Sequence, residues 1–144
     1  YISDKDISDK ELDIINKLSN LRFLQLDNCV FSDNKKMNLD LSGLVINNCP
    51  KVKINIYSDI KTLETLHIVN CDNVDISGIA TLSNLEKLFL QNLTLEEINE
   101  VQELKKLEYL SLNGSKIKDL EKIYKIPNLK IDNEEIFGIY DEEY

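Results

Sequence analysis

The segment Leu82-Ser-Asn-Leu85-Glu-Lys-Leu88-Phe-Leu90-Gln-Asn-Leu93-Thr-Leu95 spaces its leucines by three, three, two, three and two. A long amphipathic helix needs intervals of three and four throughout, and an isolated strand needs intervals of two. The mixture fits one rung of a solenoid, in which a turn feeds a short strand and the strand leaves through a tight bend. Within Leu88-Phe89-Leu90 the period is two, so both leucines face the interior and Phe89 faces away from it.

The same rung recurs along the chain. Leu21-Arg-Phe-Leu24-Gln-Leu26-Asp-Asn-Cys29 is followed by Leu41-Ser-Gly-Leu44-Val-Ile46-Asn-Asn-Cys49 and Leu63-Glu-Thr-Leu66-His-Ile68-Val-Asn-Cys71. Then come Leu85-Glu-Lys-Leu88-Phe-Leu90-Gln-Asn-Leu93 and Leu107-Glu-Tyr-Leu110-Ser-Leu112-Asn-Gly-Ser115. The first strand leucines stand at 24, 44, 66, 88 and 110, giving steps of 20, 22, 22 and 22. That period and the pattern L-x-x-L-x-L-x-x-(N/C) resemble the leucine-rich repeat, over roughly Leu12 to Ile131. Asp75-Ile76-Ser77-Gly78-Ile79-Ala80-Thr81-Leu82-Ser83-Asn84-Leu85 is similar to the repeats of internalin-type bacterial surface proteins. The short repeat also resembles the regulatory subunits of intracellular protein phosphatases. The resemblance implies an α/β fold: a right-handed solenoid with a parallel sheet on the concave face and short helices, 3-10 turns and loops on the convex face.

The expected organisation is a single domain over residues 1–144. Residues 1–18 form an N-terminal cap, 19–126 carry about five repeats, and 127–144 hold a partial repeat with a C-terminal cap and tail. Ser8-Asp-Lys-Glu11 has the spacing of a capping box. It predicts a short helix with Leu12, Ile15 and Leu18 on one face, shielding the open end of the first rung. Phe31 to Leu39 lacks a helical pattern and predicts a loop, and Pro50 forbids helix directly after the Cys49 bend. Ile60 and Leu63, and then Ile76, Ile79 and Leu82, are expected to fill the convex side of their rungs. Thr94-Leu-Glu-Glu97 looks like a second capping box, and Leu95, Ile98, Val101 and Leu104 predict an α-helix after it. Pro127-Asn-Leu129 opens a sixth rung that fails where Asp132 and Glu134 replace leucines. Ile136, Phe137, Ile139 and Tyr140 are expected to close the far end.

Composition narrows the function. With 26 acidic and 17 basic side chains the formal net charge is −9, which argues against nucleic acid and anionic membrane as partners. No apolar run reaches the roughly 20 residues of a membrane span. The chain starts at Tyr1 rather than Met, so it is taken as a fragment or mature form whose missing segments say nothing of the parent protein. Cys29, Cys49 and Cys71 share one repeat position and predict a column of small buried free thiols. Strand spacing of about 4.8 Å does not exclude a disulfide by distance alone. Their odd number and parallel Cβ vectors nevertheless disfavour one, and the spacing offers no C-x-x-C metal clip. Asn92-Leu-Thr94 and Asn113-Gly-Ser115 match the glycosylation pattern, which matters only in a eukaryotic secretory pathway.

If the strands stack in register, the outward residues form columns. The first is Phe23, Gly43, Thr65, Lys87 and Tyr109. The second is Gln25, Val45, His67, Phe89 and Ser111, and the third Asp27, Asn47, Val69, Gln91 and Asn113. Of these fifteen only Asp27 and Lys87 are charged, against 30% of the whole chain. An exposed face poor in charge and rich in aromatic and β-branched side chains has the composition of an interface core. The same residue types also favour strands for their own sake. The expected anchors for a protein partner are Phe23, His67, Phe89 and Tyr109, surrounded by Gln25, Val45, Val69 and Gln91. Asn28, Asn48, Asn70, Asn92 and Gly114 form a further column at the bend, where asparagine tolerates the bend conformation and bonds nearby backbone groups; the other reading is a polar comb for a ligand. Cys71 should turn inward, away from His67, so no Cys–His pair is expected. The chain has no glycine-rich phosphate loop, metal cluster or G-x-S-x-G motif, so catalysis, cofactor and metal are not expected. The sequence therefore points to a monomeric protein–protein interaction module. The internalin resemblance implies a secreted or cell-surface bacterial location; the phosphatase-subunit resemblance implies a cytoplasmic scaffold, and a spacer domain is the third option.

Overall fold

The computed structural model describes residues 1–32 and 35–133. In chain order its elements are β1 (Ile2–Ile7), α1 (Asp9–Ile15), β2 (Phe23–Phe31), β3 (Gly43–Asn47), β4 (Val52–Lys53), β5 (Thr65–Val69), β6 (Val74–Asp75), β7 (Lys87–Gln91), β8 (Thr94–Glu97), β9 (Tyr109–Ser111), β10 (Lys116–Asp119), α2 (Glu121–Tyr124) and β11 (Lys130–Asp132). Short 3-10 helices cover Ile54–Tyr57, Ile79–Thr81 and Asn99–Glu103. Seven strands form one sheet in the order β1-β2-β3-β5-β7-β9-β11, and every neighbouring pair is parallel. Two smaller parallel pairs, β4 with β6 and β8 with β10, form where the chain has left the main sheet.

The repeated leucines set this arrangement. Leu24, Leu44, Leu66, Leu88 and Leu110 are register partners across five strands, and none is more than 2% exposed. Leu26, Ile46, Ile68 and Leu90 form a second inward column, equally buried. From the other side Ile60, Leu63, Ile79, Leu82, Ile98 and Val101 close the core. Full burial of each such side chain is worth about 1.5–3 kcal/mol.

Each strand ends in a bend that only a few residue types tolerate. Asn28, Asn48, Asn70 and Asn92 have φ of 52°, 55°, 56° and 55°, and Gly114 has φ of 74°. Asparagine accepts this left-handed conformation, and its amide reaches back to the preceding rung. Asn92 Nδ2 donates to Asn70 Oδ1 at 2.6 Å, and Asn70 Nδ2 to Asn47 Oδ1 at 3.4 Å. Beneath the bends runs a second ladder. The Cys29 amide donates to Cys49 Sγ at 3.3 Å and the Cys49 amide to Cys71 Sγ at 3.4 Å. Two rungs on, the Leu93 amide donates to Ser115 Oγ at 3.0 Å, and that hydroxyl donates to the Leu90 carbonyl at 2.7 Å. The three cysteines are buried free thiols.

The chain departs from its sequence pattern in four places. The capping box at Ser8 and Glu11 forms and α1 follows, but Leu18 lies beyond the helix and is 50% exposed. Ahead of it, the polar Ile2–Ile7 segment adds an unexpected strand, with Ile2 opposite Leu26 and Ile7 opposite Phe31. Asp4, with φ of 56°, takes the place of the bend asparagine and accepts from Asn28 Nδ2 at 2.8 Å. Thr94–Glu97 is not a capping box but strand β8, and a 3-10 helix replaces the predicted α-helix. Leu95, Ile98, Val101 and Leu104 are still buried. Leu95 belongs to β8, and the spacing of three from Ile98 through Val101 to Leu104 matches the three-residue turn of a 3-10 helix, which also spans more length per residue than an α-helix. Finally, the sixth rung does form a strand: Ile131 pairs with Leu110 and Asp132 with Ser111. Leu129 precedes Ile131 by two positions rather than three, so the inward sites fall on Ile131 and the buried Asn133. The expected cap residues Ile136, Phe137, Ile139 and Tyr140, with Glu134, lie outside the described residues.

Candidate recognition face

The parallel register brings the outward columns together. Phe23, Gly43, Thr65, Lys87 and Tyr109 are successive partners, as are Gln25, Val45, His67, Phe89 and Ser111. Asp27, Asn47, Val69 and Gln91 follow in the third column. Side chains more than 20 positions apart in sequence therefore share one wall.

Across its middle runs a continuous row of rings. His67 stacks on Phe89 with centroids 3.9 Å apart and planes 8° from parallel. Phe89 meets Tyr109 at 5.4 Å and 48°, and the Lys130 ammonium lies 5.8 Å from the Tyr109 ring centre. Offset aromatic pairs of this kind contribute about 0.5–1.5 kcal/mol beyond their buried area. Burial holds the His67 imidazole below its ordinary pKa, so the ring is neutral at pH 7 and stacks without carrying charge. Cys71 is buried beneath the bend, 5% exposed, with its thiol directed at the Val69 carbonyl. His67 faces the other way and has no thiol partner.

Polar side chains fix the Tyr109 end of the row. The Tyr109 hydroxyl donates to Asp132 Oδ2 at 3.0 Å, and Asn113 Nδ2 donates to the same oxygen at 3.2 Å. Burial and this carboxylate together raise the Tyr109 pKa. Gln91 Nε2 donates to Ser111 Oγ at 2.7 Å, and Ser111 is fully covered by its neighbours. Asp132 was assigned to a failed strand by spacing alone, so its part in holding Tyr109 had no signal in the sequence. On β2, away from the row, Asp27 accepts from the Tyr1 hydroxyl at 3.0 Å and from Asn48 Nδ2 at 3.1 Å.

The eight anticipated contact residues divide unevenly. His67, Phe89 and Tyr109 form the row, with Val69 and Gln91 beside it, all half-buried. Val45 adjoins His67 in register. Phe23 stands apart from the ring row, 57% exposed, and its ring leans over Gly43, where an added Cβ would lie 2.7 Å from Phe23 Cδ2. Gln25 lies between Phe23 and Asp27 on the same strand. Among the described residues no cluster of three or more His, Cys, Asp or Glu side chains is placed to hold a metal. No helix among them is long and apolar enough to cross a membrane.

A solenoid of parallel strands, in-phase asparagine bends and 3-10 returns is the leucine-rich-repeat fold in its short-repeat form. Among solved structures the chain is similar to internalin C2 from Listeria monocytogenes, with a TM-score of 0.70 and 23% sequence identity. The alignment covers 88% of this chain and 57% of that one. No protein-family model matches the sequence, and no curated protein matches it.

Proposed function

We propose that the chain is a non-catalytic protein-recognition module that holds its partner on the open face of the seven-stranded sheet. The observation that carries this is the His67–Phe89–Tyr109 row, a set of rings in register on a face where most strand positions are uncharged. Rigid aromatic side chains on a fixed scaffold lose little conformational freedom on binding, and they are the usual energetic anchors of protein interfaces. Phe23, Gln25, Val45, Val69 and Gln91 frame the row. The architectural likeness to a Listeria internalin favours a secreted or surface-displayed bacterial protein that acts as a monomer.

The double variant F89A/Y109A tests the assignment. Its melting temperature and its capture of partner proteins, identified by mass spectrometry, are compared with those of the unaltered chain. Recognition predicts that capture is lost while the melting temperature falls by no more than roughly 5–10 °C, as expected for losing one or two ring contacts. Retained capture rules out this face as the docking site.

A further inference from the structure

His67 is the chain's only histidine, and it stands in the middle of the sheet's open face. Its register partners are Val45 on β3 and Phe89 on β7, and the Phe89 ring lies flat against it at 3.9 Å. Among the described residues neither ring nitrogen has a hydrogen-bond or ion-pair partner. Of the outward positions around it on β3, β5 and β7, only Lys87 is charged, and it is an exposed cation. Glu64 and Glu86 stand before β5 and β7 with the opposite alternation. No carboxylate on these strands therefore faces the imidazole, and burial alone accounts for its depressed pKa.

A wall of this kind accepts cover only while the imidazole is neutral. A side chain laid over His67 strips the remaining water from the ring. A neutral imidazole then gives up a hydrogen bond or two, whereas an imidazolium with no counter-ion gives up far more. The charged ring still stacks on the Phe89 face while its edge is wet, so the fold outlasts protonation and occupancy does not. Resting on the recognition function above, we propose that the partner protein lays an apolar or aromatic side chain over His67 and offers it no carboxylate, so that the complex forms with neutral imidazole and comes apart in mild acid. Val45 and Phe89 give that side chain apolar flanks, and the net charge of −9 turns acidic segments away. Lys87 works in the same direction, because a cation beside the covered ring opposes its protonation. Cover lowers the His67 pKa below its value in the free chain. Affinity is therefore full above the free value, falls about ten-fold for each pH unit between the free and covered values, and levels off below the covered one.

The probe is a set of peptides selected from a random library on the immobilised domain at about pH 7.5. Fluorescence anisotropy gives their affinity there and at about pH 5 for the parent chain, H67F, H67Q and F89A/Y109A. The Hε1 resonance of the single histidine reports the His67 pKa with and without peptide. The expected peptides carry an apolar or aromatic residue, fail on F89A/Y109A, and bind the parent roughly ten-fold more weakly in acid, with the His67 pKa falling by about one unit on binding. Either replacement of His67 should abolish the difference between the two pH values. Peptides that need both rings yet bind the parent equally well or better in acid, or whose acid loss persists in H67F and H67Q, overturn the pH link and leave the recognition face standing. Peptides indifferent to F89A/Y109A, or no enrichment over bare support, overturn both proposals.

Discussion

Replacing Ser115 by Ala removes one oxygen from the interior and isolates a backbone group. Ser115 is fully buried; its hydroxyl accepts from the Leu93 amide and donates to the Leu90 carbonyl. Two hydrogen bonds at a net 0.5–1.5 kcal/mol each are lost, and the buried Leu93 amide is left with no acceptor. The expected cost is about 2–3 kcal/mol, or a fall of roughly 5–10 °C in melting temperature for a chain of this length. Ser115→Cys separates this account from simple loss of volume. The equivalent position holds Cys49 and Cys71 three and two rungs earlier, where sulfur accepts the same kind of amide at 3.3 and 3.4 Å. The thiol should therefore restore most of the loss, leaving a cost of about 1 kcal/mol or less. Urea unfolding followed by circular dichroism gives both numbers. The reasoning fails if Ser115→Ala lies within about 0.5 kcal/mol of the parent, or if the cysteine variant is no more stable than the alanine one.

The remaining expectations concern the bends, the ring stack and a strand glycine. Asn92→Ala places an ordinary side chain at a φ of 55° and removes the bond to Asn70; it should cost about 1–2 kcal/mol, and Asn92→Gly should recover the backbone share. The folded-state pKa of His67 is depressed by burial. The stability tied to its neutral form is complete above the ordinary histidine pKa and is lost as pH falls below it toward the folded value. Acid titration of melting temperature should thus show a step that is absent in His67→Phe. At Gly43 the obstacle to a Cβ is the exposed ring of Phe23, a side chain and not backbone, so Gly43→Ala should stay within about 1 kcal/mol of neutral, with strand propensity offsetting the ring's displacement. A larger loss would mean that the Phe23 ring is held in place.

The outward columns were legible because the steps of 20 and 22 leave only one register that keeps every leucine buried. A slip of one residue would turn the whole inward set to solvent. The ring row follows directly from that constraint, and so does the inward turn of Cys71. Other features depended on information that periodicity does not carry. β1 offers only Ile2 and Ile7 as apolar residues, so it has no repeat signal; its Asp4 is recognisable only once the bend geometry is known. Leu95, Ile98, Val101 and Leu104 mark a buried stripe that periodicity joins into one helix, whereas Leu95 belongs to β8 and only the spacing of three from Ile98 to Leu104 is that of a 3-10 turn. β11 has no repeat signal because a single missing residue between Leu129 and Ile131 shifts the pattern. With it went Asp132, and hence the anchor of Tyr109. Ser111 counts as outward by alternation, yet larger neighbours cover it completely.

The left-handed corners at Asp4, Asn28, Asn48, Asn70 and Asn92 all turn at equivalent points of their rungs. They act as index pins as well as hinges. A strand displaced along its neighbour would reach its corner too early or too late, and the amide link from Asn92 to Asn70 could not close. The alignment of His67 with Phe89 is therefore enforced at the strand ends, by a row of small polar side chains bonded to one another.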